Sequence, residues 1–432
     1  MKKTLSIMRE MRDFLLLWMT QIVSGLGSAM TAYALVIWSY TQEGSALATG
    51  LLMVCSYLPY VLCSIFAGAL SDRWDKKKTL LTCDALAALS TLVVLVLLKT
   101  DLLQIWHLYV VNAVSGLMNT VQQPASEVAV TAIVPRRHYQ RIGGLRYLAN
   151  SVNSILTPIL ATAVMGLWGI DAVIAVDLFS FAAAFAVLAL FIRIPNTQSE
   201  GTKEPLLKSA GQGVRWLREN PGIFHLMLFL AAINLVASMY NAAFPAMMLS
   251  LPGAGETALG VVNAVTGVTM LLGSAAASFM RTPKRRVKAI WGCLLLSMST
   301  ENLLLALGRS LPVWCIGAFL GWIAIPLMNA NLDAVNRLTI PESMQGRVFA
   351  ARNSFQFFTI PVGYFLGGWL VDRVFEPLMA AQNAGSPLIR LFGSGKGSGA
   401  AMCFGALWLT GVCICMVFRF DRHIWQLENK SL

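Results

Sequence analysis

The chain has 432 residues, of which 56% are hydrophobic and only 12% charged, with a formal net charge of +12. A soluble domain carries about twice that charged fraction, so a soluble enzyme is excluded; several apolar runs of about 20 residues mark a polytopic helical membrane protein. The positive charge would point to nucleic acid in a soluble protein, but here it lies in short loops between spans, where it sets orientation.

Twelve spans are predicted in chain order, at 14–40, 46–70, 79–99, 103–134, 142–167, 171–193, 223–250, 257–281, 287–308, 311–336, 346–374 and 399–419. The start is basic (Lys2, Lys3), but no small-residue cleavage site follows the first apolar run, which is therefore expected to be retained as a span. If the termini and the even-to-odd loops share one side, that side holds 28 of the 33 Lys and Arg residues and the other side 5. This bias is expected when both termini are cytoplasmic, and a missed span would have blurred it. The polar stretch from Pro195 to Pro221 separates six spans from six. The expected organisation is thus a six-helix bundle over 1–194, a cytoplasmic linker over 195–222 and a second six-helix bundle over 223–432. Within the linker, 206–217 reads as an amphipathic helix on the inner leaflet. A second polar insert, 375–399, is an outward loop by parity.

The halves repeat weakly. Pro135 and Arg141 recur as Pro341 and Arg347, Gln123 as Asn329, and Glu127 as Asp333, each at an offset of 206 residues. Such symmetry is expected of two related six-helix bundles.

The turn between the second and third spans reads Gly68-Ala-Leu-Ser-Asp72-Arg73-Trp74-Asp75-Lys76-Lys77-Lys78. This Gly-x3-Asp-Arg-x-x-Lys-Lys pattern resembles the loop between helices 2 and 3 of the major facilitator superfamily of transporters. Trp74 and Asp75, the phrase Ile340 to Phe349, Pro361-x-Gly363, Gly367-Gly368-x3-Asp372 and Asn119-Thr-x3-Pro124-Ala are similar to the macrolide-efflux branch, which also includes siderophore exporters. The resemblance implies an all-α membrane protein with twelve transmembrane helices in two pseudo-symmetric six-helix bundles, exporting amphipathic small molecules by proton-coupled antiport. It also implies a cytoplasmic gate of Gly68, Asp72, Arg73, Lys76, Lys77 and Glu127. In it Asp72 caps the helix that begins near Gly346 and Arg347, and the basic residues meet acids such as Glu127. The alternative for the turn is charge that only fixes orientation.

Nothing reads as an enzyme. A Gly-x4-Gly-Lys-Ser/Thr loop is absent, so ATP hydrolysis is not available in this chain. The four histidines and eight cysteines show no metal-ligand spacing, and no cofactor or metal is expected. A charge in hydrocarbon is costly, so Asp84, Glu127, Asp177, Glu301 and Asp333 need partners, water or a proton. Asp177, Glu127 and Asp333 are candidates for proton coupling. Ion pairing is the alternative for Asp84, Glu127 and Asp333, and helix packing for Asp177 and Glu301. Two departures count against coupling by family pattern: the first span has no acid between Asp13 and Glu43, and the fourth lacks a buried Arg.

If the family architecture holds, spans 1, 4, 7 and 10 line a cavity between the halves. The candidates are Gln21 and Tyr33, Asn112 and Asn119, Asn234, Tyr240 and Asn241, and Trp322 and Asn329. Uncharged amides and aromatics suit a bulky amphipathic ligand; for any single Asn the alternative is helix–helix hydrogen bonding. The expected partners are that small molecule, protons and membrane lipid, with no nucleic acid. The chain is expected to act as a monomer in the cytoplasmic membrane. The alternative tasks are export or flipping of an endogenous product such as a siderophore or lysophospholipid, or a transport-inactive sensor or scaffold on the same fold.

Overall fold

A computed structural model describes residues 11–134, 139–194, 206–280, 283–341, 348, 355–383 and 385–430; over 64–73, 131, 139–144, 146–148, 206–210, 213 and 429–430 the description covers the backbone alone. The described residues are helical with short connections, and no strand occurs among them. The helices are α1 (Arg12–Glu43), α2 (Ala46–Arg73), α3 (Lys76–Lys99), α4 (Ile105–Ile133), α5 (Tyr139–Trp168), α6 (Ile170–Phe191), α7 (Leu206–Glu219), α8 (Pro221–Ser250) and α9 (Glu256–Phe279). They continue as α10 (Arg286–Leu307), α11 (Leu311–Trp322), α12 (Ile325–Thr339), α13 (Thr359–Leu370), a π-helical turn (Val371–Phe375), α14 (Glu376–Ala380), α15 (Pro387–Phe392), α16 (Ser398–Arg419) and α17 (Arg422–Lys430).

Helices occupy the predicted spans, 346–374 over its described part. A helix satisfies its backbone polar groups internally, as a chain in hydrocarbon must. Ten stretches among the described residues are long and apolar enough to cross a bilayer. The helix α4 is not among them, because Asn112, Asn119, Gln122, Gln123 and Glu127 interrupt its apolar run. The tenth predicted span is two helices. The chain breaks at Ile323–Ala324 ahead of Pro326, which has no N–H to give to the preceding turn. The expected linker helix is present as α7.

Two compact units appear. The first comprises Met1–Trp38 and Cys55–Lys203, and the second Ser39–Val54 and Glu204–Leu432. In the first, Phe14 and Leu17 of α1, Leu80 of α3, Ala125, Ala129 and Val130 of α4, and Leu188 of α6 form one buried cluster. A second cluster joins Met30 and Ala34 of α1 to Ala161 of α5 and Val173 of α6. In the second unit α8 packs against α13 and α16, and α10 against α11, α12 and α16. Phe229 meets Phe418 with ring centroids 4.9 Å apart.

Acids from distant positions cap helix starts in the second unit. Glu376 accepts from the N–H of Gly397 (2.9 Å) where α16 begins, and Glu428 of α17 from Lys288 N–H (2.7 Å) in the first turn of α10. Asp372 caps α2 through Ala46 N–H (3.0 Å) and Leu47 N–H (2.9 Å). The first N–H groups of a helix have no intrahelical acceptor and carry partial positive charge, so a carboxylate suits each place.

Candidate functional site

Two polar stripes, one in each unit, are the features most unlike a lipid-facing helix. On α4, Asn119, Gln123 and Glu127 recur every four residues and are all exposed. On α12, Asn329, Asp333 and Arg337 do the same. Residues at i, i+4 and i+8 lie on one helix face. Gln123 and Asn329, and Glu127 and Asp333, are the pairs related by 206 residues. Each half therefore sets one amide and one acid on the same face at the same register. The buried sides of these helices hold Thr120, Ala125, Ala129 and Val130 on α4, and Met328, Leu332 and Val335 with the amides Asn331 and Asn336 on α12.

In the first unit a cavity of about 190 Å³ opens between α1, α4 and α5, with Gln21, Ser126, Asn150 and Asn153 on its wall. Trp18 beside it donates its indole N–H to Leu145 O (3.2 Å). The buried Oδ1 of Asn153 has no hydrogen-bond partner among the described residues. A buried amide oxygen without a partner is an acceptor still to be satisfied, and Asn153 lines the cavity with Gln21, so it joins Gln21 as a candidate contact.

Apart from Asn241, the other predicted cavity residues are spent inside their units. Asn112 donates to Leu108 O (2.9 Å) in its own helix. Tyr33 packs on the Met30–Ala34–Ala161–Val173 cluster. Asn234 donates to Gln356 O (3.1 Å). Tyr240 is buried, stacked on Phe244 and edge-on to Phe404. Asn241 is exposed. Trp322 donates its indole N–H to Glu301 Oε1 (2.9 Å).

The acids differ in environment. Glu301 is 5% exposed. Its bonding partners, Trp322 and Tyr240, are neutral donors. Gly321 lies so close that a Cβ there would overlap Glu301 Oε2. Asp177 is 3% exposed and accepts from Ser28 Oγ (2.9 Å) across the α1–α6 seam. A Cβ on Gly27 would approach Asp177 Cα to 2.9 Å, so the seam is tight there. Asp84 accepts from Gln122 Nε2 (2.6 Å). Glu127 and Asp333 stand on the exposed stripes. Sequence reasoning treated Glu301 as a packing residue because its aromatic donors lie far from it along the chain.

At the basic turn, Asp75 is the N-cap of α3 and accepts from Lys78 N–H (2.9 Å). Lys77 sends its ammonium to Ala189 O (2.9 Å) and Ile192 O (2.8 Å), where α6 ends and carbonyls are left over. Its contacts here are main-chain carbonyls, where an acid partner was expected. Lys76 is buried and donates to Trp74 O (3.0 Å). Gly68, Asp72 and Arg73 fall where the backbone alone is described, at the end of α2, and Gly346 and Arg347 lie outside the described residues.

A family model described as Major Facilitator Superfamily matches residues 17–299. Macrolide efflux protein A of Streptococcus pyogenes is 23% identical over 366 residues, covering 84% of this chain and 90% of that protein. The enterobactin exporter EntS of Citrobacter koseri is 24% identical over 323 residues, covering 72% of this chain and 70% of that one. Among solved structures, the nucleoside transporter NupG superposes with a TM-score of 0.68 at 12% identity, over 94% of this chain and 99% of that chain. At that identity the likeness concerns the fold.

Proposed function

The chain belongs to the Major Facilitator Superfamily, and we propose that it is a secondary active transporter that exports amphipathic small molecules across the cytoplasmic membrane by alternating access, driven by inward proton flow. The observation that carries this reading is the pair of matched stripes, Asn119–Gln123–Glu127 and Asn329–Asp333–Arg337. In a membrane, exposed amides and charges at matching depths must face water or protein, because hydrocarbon satisfies neither. Two such faces in related halves suit a water-lined path. Its walls carry amides and few charges, which suits a bulky ligand with scattered polar groups.

The intramembrane acids supply the coupling. A carboxylate whose bonding partners are neutral, as those of Glu301 are, can take up a proton without breaking an ion pair. Glu301 therefore stands beside Asp177, Glu127 and Asp333 as a proton carrier. The basic bias of the even-to-odd loops supports cytoplasmic termini. The likeness to an enterobactin exporter favours a second reading, export of an endogenous metal-chelating product.

The test is accumulation of a macrolide and of fluorescent amphipathic dyes in cells stripped of other pumps. Expression of the chain should lower accumulation, and a protonophore should abolish the difference. Unchanged accumulation across a broad panel contradicts drug export and leaves the endogenous product. Lowered accumulation that persists with protonophore contradicts proton coupling.

A further inference from the structure

The connection between α1 and α2 belongs, by its contacts, to the second unit: Ser39–Val54 cluster with Glu204–Leu432. One side chain does much of the holding. Asp372, in the π-helical turn after α13, accepts from Ala46 N–H with Oδ1 (3.0 Å). Its Oδ2 accepts from Leu47 N–H (2.9 Å) and from the Ser45 hydroxyl (2.6 Å). A helix start is ordinarily capped from within its own first turn, and Ser45 already does this by accepting from Ala48 N–H (3.1 Å). The carboxylate is a second cap, brought from more than three hundred residues away, and its bonds are charge-assisted and strong.

The backbones around it approach closely. A Cβ on Gly50 would lie 2.7 Å from Tyr364 O, and one on Gly368 would lie 2.6 Å from Ala46 O. Tyr40 OH and Ser250 Oγ close the seam at 2.5 Å. All of this sits at the end of α2 remote from the basic turn Trp74–Lys78. Beside Asp372 and Glu376 the structure leaves a cavity of about 430 Å³. Water entering there can replace each hydrogen bond of the cap as it breaks, which a seam in hydrocarbon does not permit.

We propose that Asp372 is a reversible latch, a positioning residue that clips Ser39–Val54 to the second unit during one half of the transport cycle and releases it in the other. This rests on the alternating-access reading above. It places a carboxylate-to-helix-start clip at one end of α2, as the family resemblance expects of Asp72 at the other. The π-helical turn that presents Asp372 is a local departure of the kind often found at functional positions.

The experiment uses the full chain in proteoliposomes, with the eight native cysteines replaced. A single reporter is placed at Thr49→Cys, which is buried in the seam, or at Asp333→Cys on the α12 stripe. The probe is a membrane-impermeant maleimide, read as a labelling rate, with the melting temperature measured in parallel. Asp372→Asn is expected to speed labelling at position 49 by about tenfold and to slow it at position 333, as one mouth opens and the other shuts. Ser45→Ala removes one of the three bonds to Asp372, together with the cap on Ala48 N–H, and should move both rates the same way by less, which keeps the test alive if Asp372→Asn misfolds. Unchanged labelling at 49 overturns the latch. So does faster labelling at both positions with a lower melting temperature, the signature of a static cap whose loss loosens the fold. Labelling needs no transported substrate, so a failure of the export reading is distinguishable from a failure of the latch.

Discussion

The indole N–H of Trp322 points at Glu301 Oε1 from 2.9 Å, tying α11 to the middle of α10 inside the second unit. An aromatic donor spent on a buried acid is not free for ligand, so Trp322 acts through Glu301. Trp322→Phe keeps the packing and removes one of the two donors to the carboxylate, leaving Tyr240. The cost of an unmet buried acceptor, about 1–3 kcal/mol, should appear as a lower melting temperature in detergent. Glu301→Gln keeps an acceptor for the indole and should melt near the parent, while removing the protonophore-sensitive part of export.

Gly27 and Asp177 make a second testable contact. A Cβ at Gly27 would fall 2.5 Å from Ser180 Oγ and 2.9 Å from Asp177 Cα. Gly27→Val must push α1 from α6, and overpacking of this kind costs roughly 1–3 kcal/mol. Folded yield and melting temperature should both fall. Ser28→Ala, which removes only one donor to Asp177, should cost less.

The two neighbouring lysines of the basic turn should behave differently. Lys77 bonds two carbonyls at the end of α6, whereas Lys78 is exposed. Lys77→Met should destabilise by about 0.5–1.5 kcal/mol per bond lost, and Lys78→Met should leave the melting temperature within error.

Asp421 predicts a pH dependence. Burial raises its carboxyl, but the His225 ring at 2.6 Å and the N–H groups of His423 and Ile424 outweigh this and hold it below the usual carboxylate range. A depressed folded value means stabilisation that is complete above the ordinary Asp value of about 3.9 and lost as pH falls through the lower folded value. Asp421→Asn should therefore lower the melting temperature at pH 7, with the gap to the parent closing as pH falls through the lowered folded value.

The apolar runs marked the helices because hydrocarbon leaves a chain little else to form. The register of the stripes was also readable: Gln123 and Asn329 sit 206 residues apart, as do Glu127 and Asp333. What stayed hidden was whatever depends on a partner far along the chain. Asp372 looked like the tail of a glycine-rich motif until the start of α2 was seen against it. Glu301 looked like packing until Trp322 and Tyr240 closed on it. Asn153 carried no signal of a site in the sequence, and only the cavity beside Gln21 brings it out. The break before Pro326 was legible in principle, since proline marks such breaks, but the run was read as continuous.

The central claim is that the stripes of α4 and α12 face water inside the membrane. Single cysteines at Gln123 and Asp333, compared with Leu117 and Phe319, test it most directly with a membrane-impermeant maleimide on the reconstituted full chain. All four positions are exposed helix sites, and Leu117 lies on the side of α4 away from the stripe. The account predicts labelling at 123 and 333 and protection at 117 and 319. Protection at 123 and 333 equal to that at 117 and 319 would contradict it.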